Sequence, residues 1–262
     1  MRKSFRDPRA WEPDTEMGGA QQRFPVTRHS AVVASASSDR EVRRRAFAAL
    51  VAAYWKPVYK YARLRWKLAS EDAKEATQGF FARALEKDLF ARFDPAKASF
   101  RTYLRTCFDG YVKNERTAAG REKRGGAVLH TSLDFDAAEG ELDLQEPAAP
   151  GDLERAFHQE WVRSLFGLAV AELERSCRAA GKDAHFALFE RYDLRDEPGE
   201  GVRPSYASLA AELGLTVTAV TNHLAFARAE FRRIALELLR ESCGSEAEFE
   251  EEARALFGVA PR

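Results

Sequence analysis

The sequence predicts an all-α protein: two helical domains joined by an acidic flexible linker, the second ending in a helix-turn-helix. Three observations lead there. Apolar residues recur at helical spacing over long segments, and β-branched runs are few. Charge is segregated: residues 31–124 hold 21 Lys+Arg against 11 Asp+Glu, whereas residues 125–152 hold seven carboxylates and no Lys or Arg. Finally, residues 204–233, PSYASLAAELGLTVTAVTNHLAFARAEFRR, read as a short helix, a glycine turn and a second helix.

The whole chain sets the outer bounds. Its 262 residues suffice for two modest domains, and 45% hydrophobic content supports real cores. No apolar run approaches the roughly 20 residues needed to span a bilayer, so no membrane partner is expected. The first residues lack the apolar stretch of a secretory signal. Cys107, Cys177 and Cys243 lie far apart in no metal-ligand spacing, which suits reduced thiols in a cytoplasmic protein. The histidines are scattered and there is no glycine-rich phosphate loop, so neither a metal nor a cofactor is expected.

Taken in order, residues 1–26 read as a disordered N-terminal extension, with Gly18-Gly19 and scattered charge. The first domain is expected over 27–124. Ser38 with Glu41 offers a capping box for a helix through Phe47, Leu50 and Val51 to Trp55. Pro57 is expected to break it, with a new helix from Val58. Ser70-Glu71-Asp72 opens the next helix, with Ala73, Ala76, Thr77, Phe80 and Ala84 facing inward. Glu75, Gln78 and Arg83 lie off that stripe, and Phe81 sits at its edge, large for an exposed position.

Ser99 begins a fourth helix. From 100 to 124 it carries seven basic residues against three acidic, interleaved with Phe100, Tyr103, Phe108 and Tyr111. Basic charge tracks a phosphate backbone, and aromatic faces stack on unpaired bases. The same pattern also fits a surface helix whose aromatics pack inward.

Residues 125–152 read as a solvated linker, with Pro147 and Pro150 among the carboxylates. The second domain is expected over 153–240. A long helix from Asp152 to Ala180 turns Phe157, Trp161, Leu165, Ala169 and Leu173 inward, and Gly181 closes it. Ala184 to Tyr192 forms a shorter helix, followed by a charged loop over 193–203. In the helix-turn-helix, Ser205 and Thr216 can cap the two helices and Gly214 can end the first in a left-handed residue. Val220, Leu224, Ala227 and Phe231 face the core; Thr218, Asn222, Ala225 and Ala229 face away, with Thr221 on the flank. Ser245 with Glu248 caps a last acidic helix in 241–262, read as an appended C-terminal tail.

This arrangement resembles the bacterial sigma factors of RNA polymerase, and in its two-domain layout their extracytoplasmic-function branch. EDAKEATQGFFARAL is similar to the helix by which sigma factors bind core polymerase. FRTYLRTCFDGYVKNERTAAGREKR resembles the helix that opens and holds the minus-ten element, and residues 204–233 resemble the helix-turn-helix that reads the minus-thirty-five element. The likeness covers roughly 27–240; Phe24-Pro25-Val26-Thr27-Arg28, Thr77-Gln78-Gly79-Phe80-Phe81 and Lys123-Arg124-Gly125-Gly126 are similar to an ECF-like subgroup. The resemblance implies a region-two-like domain at 27–124 and a region-four-like domain at 153–240. It implies core-polymerase contacts from Glu75, Gln78 and Phe81. It implies DNA contacts from Phe100, Tyr103, Arg105, Asn114 and Arg116, and from Thr218, Thr221, Asn222 and Arg228. Thr106 and Cys107 stand where primary sigma factors carry tryptophan wedges, and Thr221, His223 and Phe226 at sites often basic in the family. The implied partners are core RNA polymerase, promoter DNA and an anti-sigma factor, and the implied role is promoter-specific transcription initiation.

Two alternatives remain at this level: a helix-turn-helix regulator that never meets polymerase, and a sigma-derived interaction protein that has lost DNA binding. An enzyme is not expected. Glu172 with Glu174, or His158 with Glu160, are alternate positions on a helix and point apart, so no catalytic residue is assigned.

Overall fold

In the computed structural model, residues 31–118, 133–142, 150–194 and 204–258 are described, and every element among them is helical. The helices are α1 (Ala31–Ala34), α2 (Arg40–Trp66), α3 (Ser70–Glu86), α4 (Phe100–Ala118), α5 (Phe135–Gly140), α6 (Pro150–Ala179), α7 (Asp183–Phe189), α8 (Tyr206–Leu213), α9 (Val217–Ser242) and α10 (Glu246–Phe257). A 3-10 turn spans Leu89–Arg92 and a π turn Glu190–Leu194. None of these helices is long and apolar enough to cross a membrane. The expected extension at 1–26, the basic end of the fourth helix and most of the charged loop lie outside the described residues.

The all-α expectation holds, with local corrections. The N-cap of α2 is Asp39, not Ser38: its carboxylate accepts from the backbone N–H of Glu41 and Val42. Pro57 does not end the helix; α2 runs through it. A proline inside a helix costs about 3 kcal/mol. Here it lies among Tyr54, Val58, Tyr59 and Tyr61, all buried, and burying such side chains returns roughly 1.5–3 kcal/mol each. Breaking the helix would forfeit more than keeping it. Helix α3 stops at Glu86, and the 3-10 turn brings Phe90 inward against Phe47, with ring centroids 5.4 Å apart.

Helix α6 matches its expected stripe: Phe157, Trp161, Leu165, Ala169 and Leu173 are all buried. What they pack on was not foreseen. Trp161 stacks on Tyr54 of α2 at 6.3 Å and 20°, and Phe157 meets Tyr61 edge-on at 5.8 Å. The Tyr54 hydroxyl donates to the carbonyl of Ser242, the last residue of α9, at 3.0 Å. The apolar core is therefore continuous from α2, α3 and α4 through α6 to α9 and α10. A smaller cluster of Leu188, Leu209, Ala210, Val220 and Leu224 holds α8 against α7 and α9.

Helix α10 is an integral layer rather than an appended tail. Ser245 caps it as expected, accepting from Glu248 N–H. Phe249 and Ala253 are buried, and Glu252 pairs with Arg101 of α4. Gly244, just before the cap, lies so close to Phe93 that an added Cβ would meet the ring at 2.1 Å.

The acidic stretch is not purely a solvated spacer. Asp134 caps α5, and Phe135 packs edge-on to Trp55 at 5.1 Å and to Tyr59 at 5.2 Å. Glu139 takes Arg63 at 2.6 Å and the Tyr59 hydroxyl; Glu141 takes Lys56 at 2.7 Å and Lys60 at 3.0 Å. The Arg63 bonds hold the Glu139 carboxyl below its ordinary value. Burial works to raise that of Glu141, but the Lys56 and Lys60 bonds leave it lowered. Carboxylates with depressed pKa stabilise docking above the ordinary carboxylate range and lose that contribution as pH falls through their lowered values. Acidification below that range is thus expected to release α5 before the fold melts. NMR of the Trp55 ring protons, which lie within the ring current of Phe135, checks this; an unchanged ring signal up to global unfolding would refute it.

Candidate functional site

The outer face of α3 presents Glu75, Gln78 and Arg83 to solvent, as expected. Phe81 is the correction: it is fully buried, edge-on to Phe80 at 5.2 Å and to Phe47 at 6.5 Å. Helix α3 is wedged between α2 and α4, so its apolar arc admits two consecutive phenylalanines. Phe81 cannot serve a docking surface without unpacking the core. Gly79 has a local reason: a Cβ there would meet the Tyr111 hydroxyl oxygen of α4 at 2.3 Å. The missing side chain lets α4 cross close over α3.

Helix α4 corrects two of its expected base contacts. Phe100 is fully buried among Tyr54, Phe90 and Phe93, at 5.3–5.5 Å. Tyr103 is half-buried on Phe93, and its hydroxyl donates to the Leu89 carbonyl at 2.8 Å. It fastens the 3-10 turn to α4. The cause is again packing, because the first turns of α4 are covered by the 3-10 turn and α10. Arg105 is ion-paired to Glu154 of α6 at 3.0 Å. Arg101, which no assignment singled out, lies over the Trp161 ring at 4.3 Å and pairs with Glu252. The cations at the start of α4 are thus neutralised by carboxylates of the second half.

The C-terminal half of α4 stays open. Lys113, Asn114 and Arg116 are exposed. Arg116 donates to the Trp66 carbonyl at 2.8 Å and its guanidinium lies over the Trp66 ring at 5.0 Å. Arg65 lies 5.5 Å from the same ring. The Trp66 indole N–H donates to Asp109 at 2.8 Å, and the Tyr61 hydroxyl donates to the other oxygen of that carboxylate at 3.2 Å. Burial, then Asp109, pushes the Tyr61 hydroxyl up to about 12, so it remains a donor throughout the working pH range. Trp66 was not assigned from sequence. The run Arg63-Leu64-Arg65-Trp66-Lys67, an aromatic among cations at a helix end, was the signal available.

Helices α8 and α9 form on either side of a glycine turn, with the caps that the sequence indicates. Ser205 accepts from Ser208 N–H at 3.0 Å and caps α8. Gly214 ends α8 at φ 65°, where a side chain would be strained. Thr216 accepts from Ala219 N–H at 3.1 Å and caps α9. Val220, Leu224 and Ala227 are buried, while Thr218, Thr221 and Asn222 are exposed together in the first turns of α9. The Thr221 hydroxyl donates back to the Val217 carbonyl at 3.0 Å, leaving its lone pairs outward. Arg228 is exposed but already committed: its Nε–H and one terminal N–H donate to the two carboxylate oxygens of Asp193 at 2.9 Å, and it lies over the Tyr192 ring at 5.3 Å. Between α7 and α9, His185 and His223 stack at 3.8 Å, a pairing across 38 positions that no local pattern indicates.

The carboxylates weighed for acid–base work are paired internally: Glu172 with Arg175, Glu174 with Arg178 at 2.5 Å, and Glu160 with Lys60 at 2.9 Å. Among the described residues no group of three or more His, Cys, Asp or Glu could hold a metal ion. No family model, no curated protein and no solved structure matches this chain.

Proposed function

We propose that this chain is an initiation factor of the sigma type, similar to the extracytoplasmic-function branch, which binds core RNA polymerase and directs it to promoter DNA without itself making or breaking bonds. The observation that carries the reading is the outer face of the helix-turn-helix, where Thr218, Thr221 and Asn222 lie exposed beyond a capped glycine turn. Asn222 can pair bidentately with an adenine edge in the major groove. The open cationic end of α4, with Asn114 and Arg116, supplies a second contact for DNA, and Glu75 with Gln78 on α3 supplies the polar face for polymerase. On this reading Phe81 acts beneath that face, holding α3 in place, rather than touching the partner.

The test is reconstitution. The purified chain mixed with core polymerase is expected to co-purify with it and to start transcripts at a defined promoter set on genomic DNA. Glu75→Ala with Gln78→Ala is expected to weaken core binding about tenfold, the effect of losing roughly 1.4 kcal/mol at an interface, while circular dichroism stays unchanged. Absence of any core complex would overturn the reading. A second reading, a regulator that binds duplex DNA without polymerase, draws on the burial of Phe81, which narrows the polymerase face to polar groups. It would be favoured by sequence-selective duplex binding with no core complex.

A further inference from the structure

We infer that Trp66, at the end of α2, is the side chain on which this protein stacks an unpaired DNA base, with Arg65 and Arg116 as its cationic flank. The inference deepens the proposed initiation role and rests on it. It starts from an elimination along α4. Phe100 and Phe108 are fully buried, Tyr103 is tied to the Leu89 carbonyl, and Tyr111 is packed over Gly79. The two phenylalanines are closed to a ligand, and the two tyrosines, partly exposed, are each engaged with a neighbour and, among the described residues, carry no cation on the ring. Trp66 is not on that helix, yet the structure brings it beside the open half of α4.

Its setting suits a single strand. The indole N–H is fixed by Asp109, and Asp109 is fixed in turn by the Tyr61 hydroxyl, so the ring is held in one orientation. Two guanidinium groups lie over it, and both belong to exposed side chains. A planar guanidinium on an aromatic face marks a flat surface open to another plane. A base can take that place while the arginine swings to the adjoining phosphate, the combination that holds single strands without demanding a sequence. Lys113 and Asn114 lie exposed on the same end of α4; the nearby acids are Asp109, already occupied, and Glu115, exposed. A duplex would not fit this chemistry, because its bases are stacked on each other and offer no free face.

The test uses the full chain, alone and with core polymerase, and a fluorescently labelled oligothymidylate as probe. Trp66→Leu, which keeps apolar bulk and removes the π face, is expected to weaken binding about tenfold or more. Trp66→Phe keeps a stacking ring and is expected to stay within about threefold of the parent chain. Duplex binding through the helix-turn-helix should not move in either variant. Equal binding by the leucine variant and the parent overturns the role of Trp66 and leaves the initiation reading intact. Loss of binding in both Trp66→Leu and Trp66→Phe shows a merely structural role through the Asp109 bond, and also overturns it. Failure of the parent chain to bind the oligonucleotide in either setting overturns the inference together with the single-strand part of the proposed function.

Discussion

Trp161→Ala is expected to destabilise the protein by about 3–5 kcal/mol, the usual result of truncating a fully buried aromatic. The ring lies where the two halves of the chain meet. It stacks on Tyr54 of α2, carries the Arg101 guanidinium of α4 on its face, and through Arg101 reaches Glu252 of α10. Removing it leaves a cavity in that junction and leaves Arg101, mostly buried, with Glu252 alone. Chemical denaturation followed by fluorescence and circular dichroism measures the effect. The parent chain should unfold in one cooperative transition, with the variant shifted in midpoint as a whole. Two transitions, only one of them shifted, would mean that the first and second halves are cored independently despite their contact.

The second large effect is expected at Lys60. Its ammonium group bridges Glu160 at 2.9 Å and Glu141 at 3.0 Å, and the Lys60 and Glu160 side chains are only 7% and 4% exposed. Glu141 is half in solvent and can be rehydrated; Glu160 cannot. One oxygen of Glu160 is buried without a hydrogen-bond partner, and the other keeps only Arg163, at 3.2 Å, when Lys60 is removed. Leaving one member of a buried pair uncompensated typically costs about 3–5 kcal/mol. Lys60→Ala is therefore expected to lose that much in a urea titration. Lys60→Met combined with Glu160→Leu should regain most of it, because apolar groups of similar volume need no partner. If the double variant is as unstable as the single one, the loss at Lys60 comes from packing and not from the stranded charge.

The contacts that bear on function split the same way as those that bear on stability. Exposed positions keep their expected roles open: Glu75, Gln78, Asn114, Thr218, Thr221 and Asn222 all reach solvent. The large aromatics do not, since Phe81 and Phe100 are both fully buried. A side chain such as phenylalanine is worth roughly 1.5–3 kcal/mol buried, so wherever a neighbouring helix can cover it, it is covered.

What the sequence determined by itself was local. Ser205, Gly214 and Thr216 set the limits of α8 and the start of α9 because a cap bonds backbone groups within a few residues of itself. The five buried positions of α6 follow from a 3.6-residue period, and Gly181 adopts φ 65° just beyond its end. Tertiary structure decided whatever depended on which helix lies against which. It carried α2 through Pro57, drew Phe81 and Phe100 inward, seated α5 on Trp55 and Tyr59, and set Glu252 against Arg101 across 151 positions. It also brought Trp66 of α2 to Arg116 of α4. Periodicity gives the direction of a helix's apolar face but not the width of the arc its neighbours cover, nor the partner a distant charge will meet. Those follow from the packing of the whole chain around α2, and no stretch of sequence contains that packing.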